Sequence, residues 1–235
     1  MESRKSEATH IDETRDALLK AALPHVVFDG WSQATLDAAI IDSGVNPDLA
    51  TLAVPRGAVD LALAFHHAGD AQLAADMVAK DMSDMRYSEK VAFGIRQRLT
   101  IAEPHREAVR RGSALFALPT HAADGAKAIW HTADTIWNAL GDTSEDVNWY
   151  TKRMTLSAVY SACVLFWLGD ESVDMADTIE FIDRRIENVM QFEKAKSQFR
   201  ESPIGKAFLN GPAQFLSKIK SPGEAPSDLP GHFKN

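Results

Sequence analysis

Asp29-Gly30-Trp31-Ser32, followed further on by Ser43-Gly44-Val45-Asn46-Pro47-Asp48, decides the fold of this chain. Gly30 ends a long amphipathic run from about Asp12 to Phe28, in which Leu18, Leu19, Ala22, Leu23, Val26 and Val27 form one apolar stripe. Ser32 is placed to cap a short second helix, since its side-chain oxygen can accept from an otherwise unpaired N–H of the first turn. Ser43-Gly44 punctuates the end of that helix. Asn46 caps a third helix that opens with Pro47, a position where the missing N–H costs nothing. A longer helix followed by two short ones, joined through a tight glycine-containing turn, is the helix-turn-helix layout.

Outward from this stretch, strand signals are almost absent and helical periodicity dominates. Helices are expected at about 58–80, 86–102, 105–118, 122–140, 147–168 and 174–199, with Pro104, Pro119, Gly141 and Gly169 at the joints. The last of these carries Ile179, Ile182, Ile186 and Val189 on one stripe. Beside the apolar 154–168 segment, that stripe serves equally as a core face or as a face that pairs with a second copy.

A chain of 235 residues can bury one substantial core or two small ones. Its net charge of −8 argues against a nucleic-acid binder, which should show a basic footprint. Cys163 is the sole cysteine, so neither an intramolecular disulfide nor a cysteine-rich zinc site can form. It lies in the apolar run Ala158–Leu168 and reads as an inert core thiol. That run is far short of the ~20 residues needed to span a bilayer. Met1–Thr14 is polar and mixed in charge, unlike a signal or transit peptide. A cytoplasmic protein is expected, with peripheral membrane contact left open.

The helix-turn-helix lacks the chemistry of a DNA reader. Its second short helix reads Pro47-Asp48-Leu49-Ala50-Thr51-Leu52-Ala53-Val54, with no Lys, Arg, Asn or Gln to reach bases or phosphates. Residues 12–57 hold three cations (Arg15, Lys20, Arg56) against seven acids (Asp12, Glu13, Asp16, Asp29, Asp37, Asp42, Asp48). Such a surface repels a phosphate backbone. The order of elements resembles the TetR repressor family over about residues 12–67, and departs from it at the reading helix.

No catalytic constellation appears, and no enzyme activity or cofactor is expected. The histidines show neither HExxH nor Glu-x-x-His spacing. His66 and His67 are adjacent, so on a helix they diverge by about 100° and chelate one ion poorly; no metal site is expected. Asp170, Glu171, Asp174 and Asp177 cluster where a loop enters a helix, and capping accounts for them.

Segment 141–190 carries the most specific signal: Gly141-Asp142, then Asp146-Val147-Asn148-Trp149-Tyr150-Thr151-Lys152-Arg153, then Leu156, Tyr160, Leu165, Asp170, Ser172, Asp174, Thr178, Phe181, Arg184-Arg185, Ile186 and Met190. With Gly30-Trp31, Arg96, Arg98-Leu99 and Ala114-Leu115-Phe116-Ala117-Leu118-Pro119 upstream, it resembles the ubiquinone (coenzyme Q) biosynthesis accessory proteins of the Coq nine family over about residues 15–199. The resemblance implies an all-α, TetR-like homodimer: a degenerate N-terminal helix-turn-helix (12–57) followed by a larger helical ligand-binding and dimerisation domain (58–199). It also implies a non-catalytic protein that binds an isoprenoid lipid or quinone intermediate and presents it to the di-iron demethoxyubiquinone hydroxylase. The family's docking patch maps onto Asp146, Asn148, Trp149 and Tyr150, with Arg153 close behind. A Trp or Tyr buries ~150–250 Å², several kcal/mol gross at ~25 cal/mol/Å², which is why such residues dominate interface hot spots. Candidate lipid-lining residues are Phe93, Ile95, Leu99, Leu115, Phe116, Met154, Ala158 and Phe166.

The C-terminal segment 200–220 reverses the charge of the chain. Ile204, Phe208, Phe215 and Ile219 recur near helical spacing with Leu216, and the only charges of Pro203–Lys220 are Lys206, Lys218 and Lys220. Such a segment suits a membrane interface, with Gly211-Pro212 breaking it into two pieces. Residues 221–235 have the composition of a disordered tail. The expectation is a lipid-binding adaptor associated peripherally with the inner membrane; the alternative is a TetR-type ligand-responsive transcriptional regulator.

Overall fold

The structure, a computed structural model, describes residues 2–201. It comprises α1 (Glu2–Asp29), α2 (Gln33–Ser43), α3 (Pro47–Ala53), α4 (Ala58–Ala79), α5 (Tyr87–Ala102), α6 (Arg106–Phe116), α7 (Ala122–Ala139), α8 (Val147–Leu168) and α9 (Ala176–Glu201). Short 3₁₀ turns lie at Glu103–His105 and Val173–Met175, and no strand occurs among the described residues. The membrane-contact candidates Ile204, Lys206, Phe208, Phe215, Leu216, Lys218, Ile219 and Lys220, and the tail 221–235, lie outside the described residues.

The turn residues act as their chemistry predicts. Ser32 Oγ accepts from Thr35 N at 3.3 Å, and Asn46 Oδ1 accepts from Asp48 N at 2.8 Å. Gly44 takes φ 66°, the left-handed conformation that glycine adopts at no steric cost, and closes α2. Helix α1 starts near Glu2, well before Asp12, where its apolar stripe begins. The added turns contain neither Gly nor Pro, so nothing in their sequence breaks the helix.

Buried residues fall into two clusters. Leu18, Ala22, Val26, Leu36, Ala50, Val54 and Leu61 belong to the first, where α1 packs against α2, α3, α4 and α6. Leu73, Ile95, Leu99, Ile136, Leu156, Trp167 and Ile182 belong to the second, built by α4, α5, α7, α8 and α9. Helix α4 runs through both, giving Leu61 to one and Leu73 and Met77 to the other. The stripe on α9 splits: Ile182 and Ile186 are core, while Ile179 is exposed. No described helix is long and apolar enough to cross a membrane.

Cations close the carboxyl end of α8, where unpaired carbonyls attract positive charge. Arg106 donates to Asp170 O at 2.5 Å and Arg110 to Leu168 O at 2.6 Å. Asp170 then starts α9 by accepting from Ser172 N and Thr178 N. Burial alone would raise its pKa, but these hydrogen bonds bring it down to about 2. Cys163 is fully buried, and burial pushes its thiol up to about 12, so it carries no thiolate near neutrality.

Candidate ligand cavity and docking surface

A cavity of about 280 Å³ opens between the two clusters, enclosed by the segment after α1 and by α4, α5, α6, α7 and α8. Its volume lies near the lower end of the ~300–1,000 Å³ typical of small-molecule sites. Large rings stand around it: Trp31, Phe65, Phe116, Tyr160 and Trp167. Between them the wall is small: Ala62, Ala102, Ala108, Gly112, Gly125, Ala126 and Ala128. Small residues where helices approach, with rings at the corners, leave a void that helix packing does not fill.

The rings are fixed by hydrogen bonds. Trp31 Nε1 donates to Ala108 O at 3.0 Å, and the ring lies 5.7 Å from that of Phe65. Trp167 Nε1 donates to Glu103 Oε2 at 2.6 Å, with the Arg106 guanidinium 5.0 Å from its ring.

One side of the cavity is polar. Arg98 and Asp70 are 3% and 0% exposed and form a buried ion pair, Nε to Oδ1 at 2.8 Å. Thr132 donates to the same oxygen at 2.9 Å, and Arg98 donates to His66 O at 3.0 Å. His66 Nε2 lies 2.9 Å from Ala128 O and 2.8 Å from Thr132 Oγ1, so Nε2 carries the ring proton. Burial lowers His66 to about 4 and keeps it neutral. Burial opposes the charge on Asp70, yet the hydrogen bond from His131, together with the charge and hydrogen bond of Arg98, holds its pKa below the usual range. A buried ion pair persists where such added partners offset its desolvation. Gly69 makes room for it, because a Cβ there would stand 2.6 Å from Arg98 Cζ.

Two of the lipid-lining candidates, Leu99 and Phe116, line this cavity. The other six do not. Ile95 is fully buried in the second cluster and Phe93 packs against it. Leu115 packs on the first cluster, and Phe166 stacks on Phe181 with ring centroids 4.3 Å apart. Met154 and Ala158 face outward on α8. On α8 the face toward the cavity is instead Tyr160, Ser161, Val164, Leu165 and Trp167, a difference of helical phase. Neither Arg98 nor Asp70 is among the site residues expected from the sequence, although the helical pattern carries a signal for both. Each sits in the buried phase of its helix, Arg98 with Val91, Ile95 and Ala102, and Asp70 with Leu73 and Met77.

The docking candidates gather at the start of α8. Asp146 and Asn148 are exposed, and Asp146 Oδ1 caps the helix by accepting from Asn148 N at 2.9 Å. Trp149 and Tyr150 are half-buried, with ring centroids 4.8 Å apart, and Trp149 also meets Trp130 at 5.9 Å. Arg153 is not a surface residue: at 1% exposure it reaches Asp134 at 2.5 Å and Asp142 at 3.0 Å, and its guanidinium lies under Trp149. It can serve docking only by holding Trp149. Lys152 donates to Asp142 at 2.7 Å and Ser144 at 2.6 Å, which ties the loop before α8 to the helix. Burial would raise Asp142, but Lys152, Ser144 and Arg153 bring it to about 2. A second cavity of about 270 Å³ lies beside this patch, lined by Tyr87, Trp137, Asn148, Lys152, Val159 and Ile186 among others.

An all-α chain with a short helix-turn-helix ahead of a helical body that encloses an apolar cavity has the TetR-like fold. A TetR transcriptional regulator from Nitrosomonas europaea superposes with a TM-score of 0.59 at 18% identity, over 74% of this chain and 95% of that one. That likeness shows the fold alone. The COQ9 family model matches residues 122–193, from α7 into α9. A probable ubiquinone biosynthesis protein coq9, mitochondrial, of Dictyostelium discoideum is 29% identical over 88% of this chain and 68% of its own length. Ubiquinone biosynthesis protein COQ9, mitochondrial, of Drosophila melanogaster is 30% identical over 80% of this chain, and its Homo sapiens counterpart 24% over 85%. The chain spans 59% of the Drosophila relative and 64% of the human one. These matches support the COQ9 family as the one this chain is similar to.

Proposed function

We propose that this protein is a non-catalytic accessory protein of ubiquinone biosynthesis that binds an isoprenoid quinone intermediate in the 280 Å³ cavity and hands it to the di-iron demethoxyubiquinone hydroxylase. The observation that carries the reading is the cavity itself. Aromatic rings and alanines suit an isoprenoid chain, and His66 and Arg98, the latter fixed from behind by Asp70, offer polar groups to a ring with oxygen substituents. Asp146, Asn148, Trp149 and Tyr150 form the docking surface, with Arg153 holding Trp149 from below. Exposed Met154, Leu165, Ile179 and Met190 on α8 and α9 suit a face shared with a second copy. The lysine-bearing segment Ile204–Lys220 is the proposed contact with the inner membrane, on its cytoplasmic side.

The alternative of a ligand-responsive regulator shares the fold, but α3 spans only Pro47–Ala53 and Asp48 is its one charged residue. Mass spectrometry of organic extracts from the purified protein tests the lipid reading; extracts free of isoprenoid would sink it. For docking, Trp149→Lys should abolish hydroxylase binding with helicity intact, and unchanged binding would refute the surface. A DNA shift sensitive to salt would favour the regulator instead.

A further inference from the structure

His67, Asp70 and His131 stand together where α4 meets α7, and the proposed lipid function uses neither histidine. His67 and Asp70 are three residues apart on α4, which places them on one face of the helix. His131 comes from α7, which packs along α4. One ligand atom from each of the three lies within 4.8 Å of the others. His131 Nδ1 is 2.7 Å from Asp70 Oδ2, and the His67 and His131 rings meet edge to face at 4.6 Å.

The carboxylate is prepared for a ligand's task. Asp70 is fully buried, and its Oδ1 is fixed by Arg98 Nε at 2.8 Å and Thr132 Oγ1 at 2.9 Å. Those bonds leave Oδ2 2.7 Å from His131 Nδ1 and 3.5 Å from His66 Nε2, and a ligand atom of His67 lies within 4.8 Å of the carboxylate. Outer partners of this kind orient metal-ligating carboxylates generally. Both histidines are exposed, so an ion has an entry path and water can complete its coordination.

We propose that His67, Asp70 and His131 form a binding site for a divalent transition-metal ion, with zinc the best match. Arg98 already balances the charge of Asp70, so the attraction for a cation rests on the imidazoles. That selects ions with an affinity for nitrogen, such as Zn²⁺, over Mg²⁺ and Ca²⁺, which require several oxygens. The ion takes the place between His131 Nδ1 and Asp70 Oδ2 now bridged by a hydrogen bond, and His67 closes the third position. Adjacent His66 takes no part, since its Nε2 is engaged with Ala128 and Thr132.

The test is calorimetric titration of the untagged full chain with ZnCl₂ and with MgCl₂. One zinc per chain is expected, no magnesium binding, and zinc binding at least about tenfold weaker in His67→Ala and in His131→Ala. His67→Ala is decisive, because its ring is exposed and the Asp70–His131 bond survives it. Circular dichroism verifies that the variants fold, and zinc-edge absorption should show two imidazoles in the first coordination sphere. Failure of the wild-type chain to take up zinc overturns the assignment, and so does undiminished uptake by His67→Ala.

Discussion

The guanidinium carbon of Arg153 lies 4.0 Å from the centroid of the Trp149 ring, and its Nη1 also donates to Trp149 O one helical turn back. A buried cation, two carboxylates and a half-buried indole are thereby one unit. A desolvated cation–π contact is worth about 2 kcal/mol, and breaking a buried ion pair by removing one partner costs about 3–5 kcal/mol. Arg153→Met should therefore lower unfolding free energy by about 3 kcal/mol or more, because the buried ion pairs with Asp134 and Asp142 are lost together and Asp142 keeps only Lys152 as a cationic partner. It should also free the Trp149 indole. Urea unfolding and fluorescence, read against Trp149→Phe, measure both; a loss below about 1 kcal/mol would contradict this account.

Acid should act first on the carboxylates that order the ends of α8. Asp142 and Asp170 both fall from 3.8 to about 2 in the folded chain. A depressed folded pKa means that the stabilisation is complete above the ordinary value and is lost as pH falls through about 2. Carbon-detected NMR titration should place both midpoints near 2. Asp142→Asn should cost stability at neutral pH and reduce the further loss between about pH 4 and 2. A midpoint for Asp142 near its ordinary value would refute the prediction.

Gly69→Ala sets two effects against each other. Alanine favours a helix interior by about 1 kcal/mol over glycine. Its Cβ would, however, meet Arg98 Cζ at 2.6 Å, with both terminal nitrogens under 3.0 Å. Overpacking of this kind costs about 1–3 kcal/mol, and here it also displaces the partner of buried Asp70. Net destabilisation is expected, seen as a lower Tm; a rise in Tm would show that Arg98 moves aside freely.

Filling the cavity should separate ligand uptake from folding. Ala62 is 2% exposed and lines the void on α4. Ala62→Phe places a ring where the proposed isoprenoid lies, so captured lipid should fall sharply while the melting temperature holds or rises. Co-purified lipid measured beside thermal unfolding checks both halves, and unchanged lipid content would move the ligand elsewhere.

Local chemistry alone determined the helices and their joints. Ser32, Gly44, Asn46 and Pro47 each act through bonds or conformations spanning a few residues, and such effects survive any tertiary context. The acidic charge over residues 12–57 and the Trp149-Tyr150 pair were legible for the same reason. Tertiary structure decided which faces meet. Helical phase along a largely apolar segment such as α8 does not say which side meets the cavity, so Met154 and Ala158 fall outside it while Tyr160, Val164 and Trp167 line it. Arg153 reads as a surface cation until Asp134 and Asp142 enclose it. His131 joins His67 and Asp70 only because α7 lies along α4, a proximity set by packing energies summed over the whole core.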